Sequence, residues 1–317
     1  MLGIGLTAAS ASNRSARSAY SRPHRWGGTA TTTASTTIPP AAITTTTTVA
    51  TVKPNTPAPP VTTTSTPSTP AVAPAPAPAP APANPYLFDD EFNGTALDTT
   101  KWYVSNSCAN FTDTNSCPST ANVSVGGGNL VAQISRAGSG YRGALLATVN
   151  YENGYAPYAA RGWAKAEWPV PYTITMRALM PNTPGAWPAL WARSDDGSQE
   201  LDYAEQQMTF PTAAGCHQHQ WSDGDDQRPF NGGVTVSNMA TNWHTYSAVV
   251  TASSVTYKVD GATCGVAYGE PTGSRHAVII DNLLGAPGSW AAGGRAPAAS
   301  DPGPWNLLVD YVRVSRV

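Results

Sequence analysis

From residue 86 onwards, the chain consists of short runs of β-branched and aromatic residues that turn-forming clusters separate. Clusters such as Gly126-Gly127-Gly128 and Asp260-Gly261 bound these runs, and Asp260-Gly261 predicts a tight hairpin. No stretch of ten or more residues repeats its apolar side chains at the 3.6-residue spacing of a helix. This pattern predicts an all-β fold, a β-sandwich jelly roll of two packed sheets. The predicted strands are Val123–Val125, Leu130–Ile134, Tyr172–Leu179, His244–Thr251, Ser254–Val259, Ala277–Leu283 and Leu307–Val314.

Residues 1–85 differ from the rest of the chain, since they contain no Asp or Glu and only five basic residues. Thr, Pro and Ala dominate residues 28–70, and residues 73–82 alternate Ala with Pro. Such a segment has too little apolar bulk to offset the entropy of ordering, so we expect a disordered low-complexity tail. The Ala-Pro alternation favours an extended spacer, and an inert extension is the alternative. Residues 86–317 are then a single folded domain.

The beginning of the chain gives an ambiguous signal for export. Residues 2–9 are mildly apolar and Ala9-Ser10-Ala11 resembles a signal-peptide cleavage site, but no basic segment precedes them. Residues 1–11 are therefore either the remnant of a truncated or misassigned signal peptide or part of a chain without one. No run of about 18 apolar residues occurs, so the sequence predicts no membrane-spanning helix.

Four cysteines favour an oxidising compartment. Cys108, Cys117, Cys216 and Cys264 allow three pairings, and their spacings lack the close Cys-x-x-Cys pairs of zinc sites. We interpret them as two structural disulfides of a secreted or cell-surface protein, associated with the cell wall in the second case. Cys108–Cys117 would close a loop rich in Asn and Thr, and free buried thiols are the alternative.

Charge excludes some functions. All 20 acidic residues lie in residues 86–317, and only 12% of the whole chain is charged. An acidic domain without Lys/Arg arrays is a poor nucleic-acid binder, since that requires phosphate neutralisation. We expect a monomer with no nucleic-acid partner.

The most informative segment is Gln199-Glu-Leu-Asp-Tyr-Ala-Glu-Gln206. On a strand, Glu200 and Asp202 share one face because side chains alternate, whereas Glu205 would face the other way. One β-bulge between Asp202 and Glu205 would change the parity and bring all three acids to one side. Three such carboxylates repel one another, so they require a metal or a retained proton. A solvated acidic strand edge is the alternative.

With the upstream Trp187-Pro-Ala-Leu-Trp191, this pattern resembles the signature of glycoside hydrolase family 16, in its bulge-containing, laminarinase-like branch. The resemblance covers residues 86–317. It is also carried by Phe88-Asp-Asp-Glu-Phe-Asn-Gly94 with Thr100-Lys-Trp102, by Asn242-Trp-His-Thr-Tyr246 with Tyr257-Lys-Val-Asp-Gly261, and by Val309-Asp-Tyr-Val-Arg-Val314.

The resemblance implies a concave jelly roll with a substrate cleft and a retaining endo-hydrolase of β-1,3-linked glucan. It assigns Glu200 as the nucleophile, Glu205 as the acid/base and Asp202 as the auxiliary acid, and it requires no cofactor for catalysis. The alternatives are a hydrolase or transglycosylase of another β-linked polysaccharide (mixed-linkage glucan, galactan or a cell-wall glycan) and a catalytically silent glycan-binding jelly roll.

Aromatic and histidine side chains are the candidates for holding the polysaccharide. Trp187 and Trp191 share a strand face, and tryptophan offers a broad plate for sugar C–H groups. His219 and Trp221, in a strand similar to one that lines the family's cleft, are also assigned to substrate contact. A zinc site from His217 with His219 is the weaker alternative, because no third ligand has suitable spacing.

The resemblance further implies a structural Ca²⁺, for which Glu91 and Asp310 lie in the matching segments. Oxygen ligands from these distant segments would tie the two ends of the domain together.

Overall fold

Strands account for nearly all regular structure in the computed structural model, which describes residues 84–108, 113–151, 162–222, 225–269 and 275–317. The disordered tail predicted for residues 1–85 lies outside the described residues except for Asn84 and Pro85, and the signal remnant predicted for residues 1–11 lies outside them as well. Within the described part, the only helical element is one 3₁₀ turn at Thr120–Asn122. The strands are β1 Tyr86–Asp90, β2 Tyr103–Val104, β3 Ser116–Pro118, β4 Val123–Gly126, β5 Asn129–Ala137, β6 Gly140–Ala147, β7 Trp168–Pro169, β8 Tyr172–Leu179, β9 Ala186–Ser194, β10 Gln199–Glu205, β11 Ala213–Ser222, β12 Asp225–Asp226, β13 Phe230–Thr235, β14 His244–Val250, β15 Ser254–Val259, β16 Ala262–Tyr268, β17 Arg275–Leu284 and β18 Trp305–Ser315.

Two antiparallel sheets form the body of the fold. The first sheet runs β4-β5-β18-β8-β14-β15-β16, with β1 beside the far end of β18. The second runs β2-β6-β17-β9-β10-β11-β13, with β7 beside β17 and β12 on β11. The ends of β5 and β6 pair at Ser135–Ala137 and join the two sheets. This architecture confirms the predicted all-β jelly roll.

The main core lies between the sheets because alternate residues of each strand face inward. On β8 the buried series is Tyr172, Ile174, Met176 and Ala178. Leu201 and the next two apolar residues of β10 enter the same core. The acidic residues of β10 therefore lie on the other face of the second sheet, away from the core.

A chain of buried hydrogen bonds crosses the core beneath β10. The hydroxyls of Tyr203 and Tyr172 lie 2.8 Å apart, and the Tyr172 hydroxyl lies 3.0 Å from Nδ1 of His276. Nε2 of His276 lies 3.4 Å from Oε1 of Gln199, which returns the chain to β10. Burial lowers the pKa of His276 to about 4, so its ring is neutral at pH 7. Hydrogen bonds on the core side of β10 thus fix the strand at Gln199 and Tyr203, the positions that flank Glu200 and Asp202.

The predicted hairpin at Asp260-Gly261 is confirmed between β15 and β16. Both residues have positive φ, 51° and 80°, as a two-residue turn of the type favoured between twisted strands requires. Asp260 also holds Nδ1 of His244 at 2.6 Å.

Both predicted disulfides form, Cys108–Cys117 within a loop and Cys216–Cys264 across 48 residues. The second bond joins β11 of the second sheet to β16 of the first. A crosslink of this span stabilises by restricting the unfolded chain, by about 2–4 kcal/mol. In the described residues, no helix has the length and apolar character to cross a membrane.

Glu167, next to β7, is a buried carboxylate outside the acid cluster. Neither of its oxygens has a hydrogen-bond partner among the described residues, and Nε of Arg275 lies 4.0 Å away. Burial, with a smaller contribution from Asp195, raises the pKa of Glu167 to about 7, while Arg275 opposes the shift. Between pH 4.5 and about 7, the Glu167 carboxyl is therefore mostly protonated in the folded chain and mostly ionised in the unfolded chain.

We expect Glu167→Gln to stabilise the fold at pH 8 by about 1 kcal/mol, less than the full shift because solvent near Arg275 screens the charge. Since the folded carboxyl keeps its proton to higher pH than the unfolded one, stability falls as pH rises from 4.5 to about 7. Thermal unfolding of both chains at pH 4, 6 and 8 measures this. A difference in melting temperature that is the same at all three pH values would contradict the assignment.

Candidate active site

A β-bulge in β10 brings the three acids to one face. Glu200 pairs with Arg193 of β9 and Asp202 with Trp191, but the next paired residue is Ala204, opposite Leu190. Tyr203 is thus the extra residue, and its side chain points into the core. The predicted bulge between Asp202 and Glu205 is confirmed, and Glu205 returns to the face of the other two acids.

Glu205 is buried and held by two side chains. Its exposed fraction is 8%. Nε1 of Trp187 donates a hydrogen bond to Oε1 at 3.0 Å, and Nδ1 of His217 lies 2.5 Å from Oε2. Both carboxyl oxygens are therefore fixed in position, one by each neighbouring strand.

Glu200 forms an ion pair with Arg193, its partner across β9 and β10. The other terminal nitrogen of Arg193 donates to the carbonyl of Gly197 at 2.9 Å, and the guanidinium lies 5.7 Å from the Trp221 ring centre. A guanidinium binds a carboxylate through charge-assisted hydrogen bonds of defined geometry. The contact with Arg193 therefore fixes the orientation of the Glu200 carboxylate.

Asp202 lies between the other two acids and is only 3% exposed. Burial raises its pKa well above the usual range, and the charges of Glu200 and Glu205 raise it further while Arg193 opposes them. Carboxyl oxygens of Asp202 and Glu205 and a ring nitrogen of His217 all lie within 4.8 Å of one another. Burial among other carboxylates therefore favours the protonated form of Asp202.

His219 and Trp221 lie on β11, whose residues His217 and His219 pair with Asp202 and Glu200. The rings of His219 and Trp221 stack at 5.3 Å. Nδ1 of His219 lies 2.7 Å from Oδ2 of Asp226. His219 thus lies beside two of the acids, while Trp221 contacts His219 and lies near Arg193.

Trp191 lies on the same face of β9 as Trp187 but is more deeply enclosed, with 6% exposed. Its ring packs edge-on against Tyr151 at 5.5 Å, and its Nε1 donates to Oδ2 of Asp281 at 2.8 Å. Trp187 is partly exposed and bonds Glu205 directly. The substrate-contact roles of both tryptophans stay predictions.

Asp281 is a fourth carboxylate on this face, and no sequence motif predicted it. It pairs with Ala189 of β9 and is buried. Burial, together with Glu205 and Glu200, raises its pKa well above the usual range, while the bond from Trp191 opposes the shift. Its signal in the sequence was a lone acid inside the apolar run Ala277–Leu283.

Two other residues near the acids were also missed. Arg193 is two positions after Trp191 and so shares its strand face, a relation that parity alone could have identified. Trp290, 44% exposed, packs edge-on against His217 at 5.6 Å. It lies in the loop between β17 and β18, and no local pattern places that loop at the acids.

Glu91 and Asp310, the predicted calcium ligands, are each paired with an arginine. Oε1 and Oε2 of Glu91 accept from Arg313 at 2.6 and 2.7 Å, and Asp310 accepts from Arg177 at 2.7 Å. A guanidinium on each carboxylate neutralises the charge that would attract Ca²⁺. As placed, these residues do not fit a calcium site, and a structural calcium ion stays an untested expectation.

Comparison with known proteins agrees with this geometry. The model for glycosyl hydrolases family 16 matches residues 171–293, which include the acid cluster. Glucan endo-1,3-beta-glucosidase A1 of Niallia circulans is 30% identical over 305 residues, covering 82% of this chain and 41% of that protein. The chain thus spans about two fifths of the length of that relative.

Solved structures share the fold. The laminarinase from Rhodothermus marinus superposes with a TM-score of 0.60 at 24% identity, covering 73% of this chain and 96% of the other. The endo-beta-1,3-glucanase from Pyrococcus furiosus gives a TM-score of 0.60 at 19% identity, covering 73% and 94%. The family model, the relative and the shared jelly roll together make this chain similar to glycoside hydrolase family 16.

Proposed function

We propose that this protein is a retaining endo-β-1,3-glucanase that hydrolyses laminarin-like polysaccharide. The observation that carries the proposal is the bulge that gathers Glu200, Asp202 and Glu205 on one face, with Arg193 on the first acid and His217 on the last. The relative named as a glucan endo-1,3-beta-glucosidase supports the choice of linkage.

In the first step, the ionised Glu200 attacks the anomeric carbon and forms a covalent glycosyl ester. Glu205 gives its proton to the glycosidic oxygen as the bond to the leaving chain breaks. Trp187 and His217 hold the Glu205 carboxyl in a fixed orientation for this transfer. Asp202 lies between the two glutamates and, as the auxiliary acid, tunes the charge and the proton affinity of both.

In the second step, Glu205 removes a proton from water, and the resulting nucleophile attacks the anomeric carbon. The ester bond to Glu200 breaks, and the product keeps its β configuration. Arg193 stabilises the departing Glu200 carboxylate.

Sugar rings are proposed to bind against Trp187, Trp191, His219 and Trp221. The exposed ring of Trp290, beside His217, offers a further apolar plate next to the acid/base. There are three alternatives for the same site. It could hydrolyse another polysaccharide (mixed-linkage glucan, galactan or a cell-wall glycan), transfer glycosyl groups between such chains, or bind a glycan without cleaving it.

The two disulfides support a secreted or cell-surface protein, and we propose that it acts there as a monomer. The proposed reaction requires no metal or organic cofactor. We therefore expect dialysis against EDTA to leave kcat on laminarin unchanged, measured by release of reducing ends. A loss of activity that only added metal restores, with the melting temperature unchanged by EDTA, would contradict the two-step mechanism above.

The function is tested by release of reducing ends from laminarin, mixed-linkage β-glucan, agarose, carrageenan and arabinogalactan, with Glu200→Gln as the control. Oligosaccharides released from laminarin by the natural chain and not by the variant would support the proposal. Release from a different glycan would change the substrate and keep the chemistry. Binding to one glycan without cleavage of any would favour the glycan-binding alternative.

A further inference from the structure

We propose that Glu200, Asp202 and His219 form a binding site for a divalent transition-metal ion such as Zn²⁺, which blocks the cleft when bound. Binding itself does not depend on the proposed function; only inhibition of hydrolysis rests on it. The sequence offered no third ligand for a histidine-based zinc site, whereas the tertiary structure supplies two carboxylates.

The three ligand groups already lie close together. A carboxyl oxygen of Glu200, one of Asp202 and a ring nitrogen of His219 lie within 4.8 Å of one another. The distance from Nε2 of His219 to Oδ2 of Asp202 is 3.7 Å. Tetrahedral zinc with bonds of about 2.0–2.1 Å separates its ligand atoms by about 3.3 Å. Small side-chain rotations therefore suffice to bring the three atoms onto one ion.

An independent observation points to a cation at this position. Oδ2 of Asp202 is buried and has no hydrogen-bond partner among the residues that the structure describes. A buried acceptor left without a partner is costly, and more so beside two other carboxylates. A bound cation would satisfy this oxygen and offset the repulsion within the cluster.

Asp226, on the opposite side of the His219 ring from Asp202, orients the ring for metal binding. Oδ2 of Asp226 accepts from Nδ1 at 2.7 Å, while Oδ1 of Asp226 accepts from the backbone N–H of Gln220 at 3.0 Å and of Arg228 at 3.2 Å. The aspartate is thus fixed by the backbone, and Nε2 faces the acid cluster. Metal-binding histidines usually have such a carboxylate on the other ring nitrogen.

The ligand set selects the class of ion. One imidazole nitrogen with two carboxylates suits Zn²⁺ and its transition-metal neighbours, whereas Ca²⁺ and Mg²⁺ prefer six or more oxygens. Arg193 competes for Glu200, so we expect moderate rather than tight affinity. An ion at this site would engage the proposed nucleophile and compete with the sugar.

Isothermal titration of ZnCl₂ into the full, EDTA-treated chain without a histidine tag tests the site. We expect one Zn²⁺ per chain, at least about tenfold weaker binding in His219→Gln, and about tenfold weaker binding in Asp226→Asn. His244→Gln is the matched control, since His244 also pairs with an aspartate, Asp260, but its Nε2 faces Ser237 at 3.3 Å.

Several results would overturn the proposal: no binding of Zn²⁺, equal affinity in His219→Gln, equal loss in His244→Gln, or tighter binding of Ca²⁺ than of Zn²⁺. If His219→Gln fails to fold by circular dichroism, Asp226→Asn still decides the question, because it keeps the ring and removes only its carboxylate partner. Unchanged zinc affinity in that variant would count against the site.

Laminarin hydrolysis with and without ZnCl₂ separates this inference from the proposed function. Inhibition that EDTA reverses, and that His219→Gln weakens relative to its own uninhibited rate, is the expected result. A chain that binds Zn²⁺ but cleaves no glycan would keep the metal site and reject the glucanase. A chain that cleaves laminarin but binds no Zn²⁺ would keep the glucanase and reject the metal site.

Discussion

Replacing Glu200 by Gln is expected to reduce kcat on laminarin by about 10⁴-fold or more, because the amide cannot form the glycosyl ester. The isosteric change keeps the half-buried side chain in place, so the melting temperature should change little. Glu91→Gln is the matched control, since it also replaces a glutamate that pairs with an arginine, Arg313, outside the acid cluster. That variant should keep full activity.

Azide tests the role of Glu200 directly. In Glu200→Gly, azide can enter the vacated space and attack the anomeric carbon of an aryl β-laminaribioside. The product is then a glycosyl azide of inverted configuration, identified by NMR. Full activity of Glu200→Gln, or an azide product of retained configuration from Glu200→Gly, would refute the assignment of the nucleophile.

Replacing Glu205 by Gln is expected to lower kcat/KM on laminarin by about 10²–10⁴-fold, the usual contribution of a general acid or base. A substrate with a dinitrophenyl leaving group needs no proton for departure, so its first step should be much less affected. The ratio of kcat/KM for the two substrates therefore measures the acid role and is insensitive to a uniform loss of folded protein.

The second step of the same variant gives a further contrast. Without a base, the glycosyl enzyme should accumulate, and azide should release it as a product of retained configuration. Equal losses of kcat/KM on laminarin and on the dinitrophenyl substrate would instead indicate that Glu205 acts only through the structure. The opposite configurations expected for the Glu200 and Glu205 variants make the two roles separately testable.

Local features of this protein could be predicted from sequence because they depend on neighbours along the chain. Period-two alternation predicted the strands, and the same alternation required one extra residue between Asp202 and Glu205. Asp260-Gly261 predicted a two-residue hairpin because both positions need positive φ. Each of these inferences uses only backbone geometry within a few residues.

Long-range partners could not be predicted in this way. Glu200 meets Arg193, and Glu205 meets His217, only because β9 and β11 flank β10 in a particular register. Register depends on the hydrophobic faces of all strands together, and a shift of one residue would reverse them. The predicted calcium ligands show the same limit, because Glu91 and Asp310 each have an arginine partner that no spacing revealed.

The sequence by itself therefore determined the all-β class, the acid triad with its bulge and the presence of cysteines suited to disulfides. Only the tertiary structure decided the environment of each acid: the arginine on Glu200, the imidazole on Glu205, the Asp202 oxygen that accepts no hydrogen bond within the described part of the chain, and the added carboxylate of Asp281. The physical reason is that side-chain alternation is a local property, whereas burial and electrostatic neighbours depend on the order and register of strands distant in the chain.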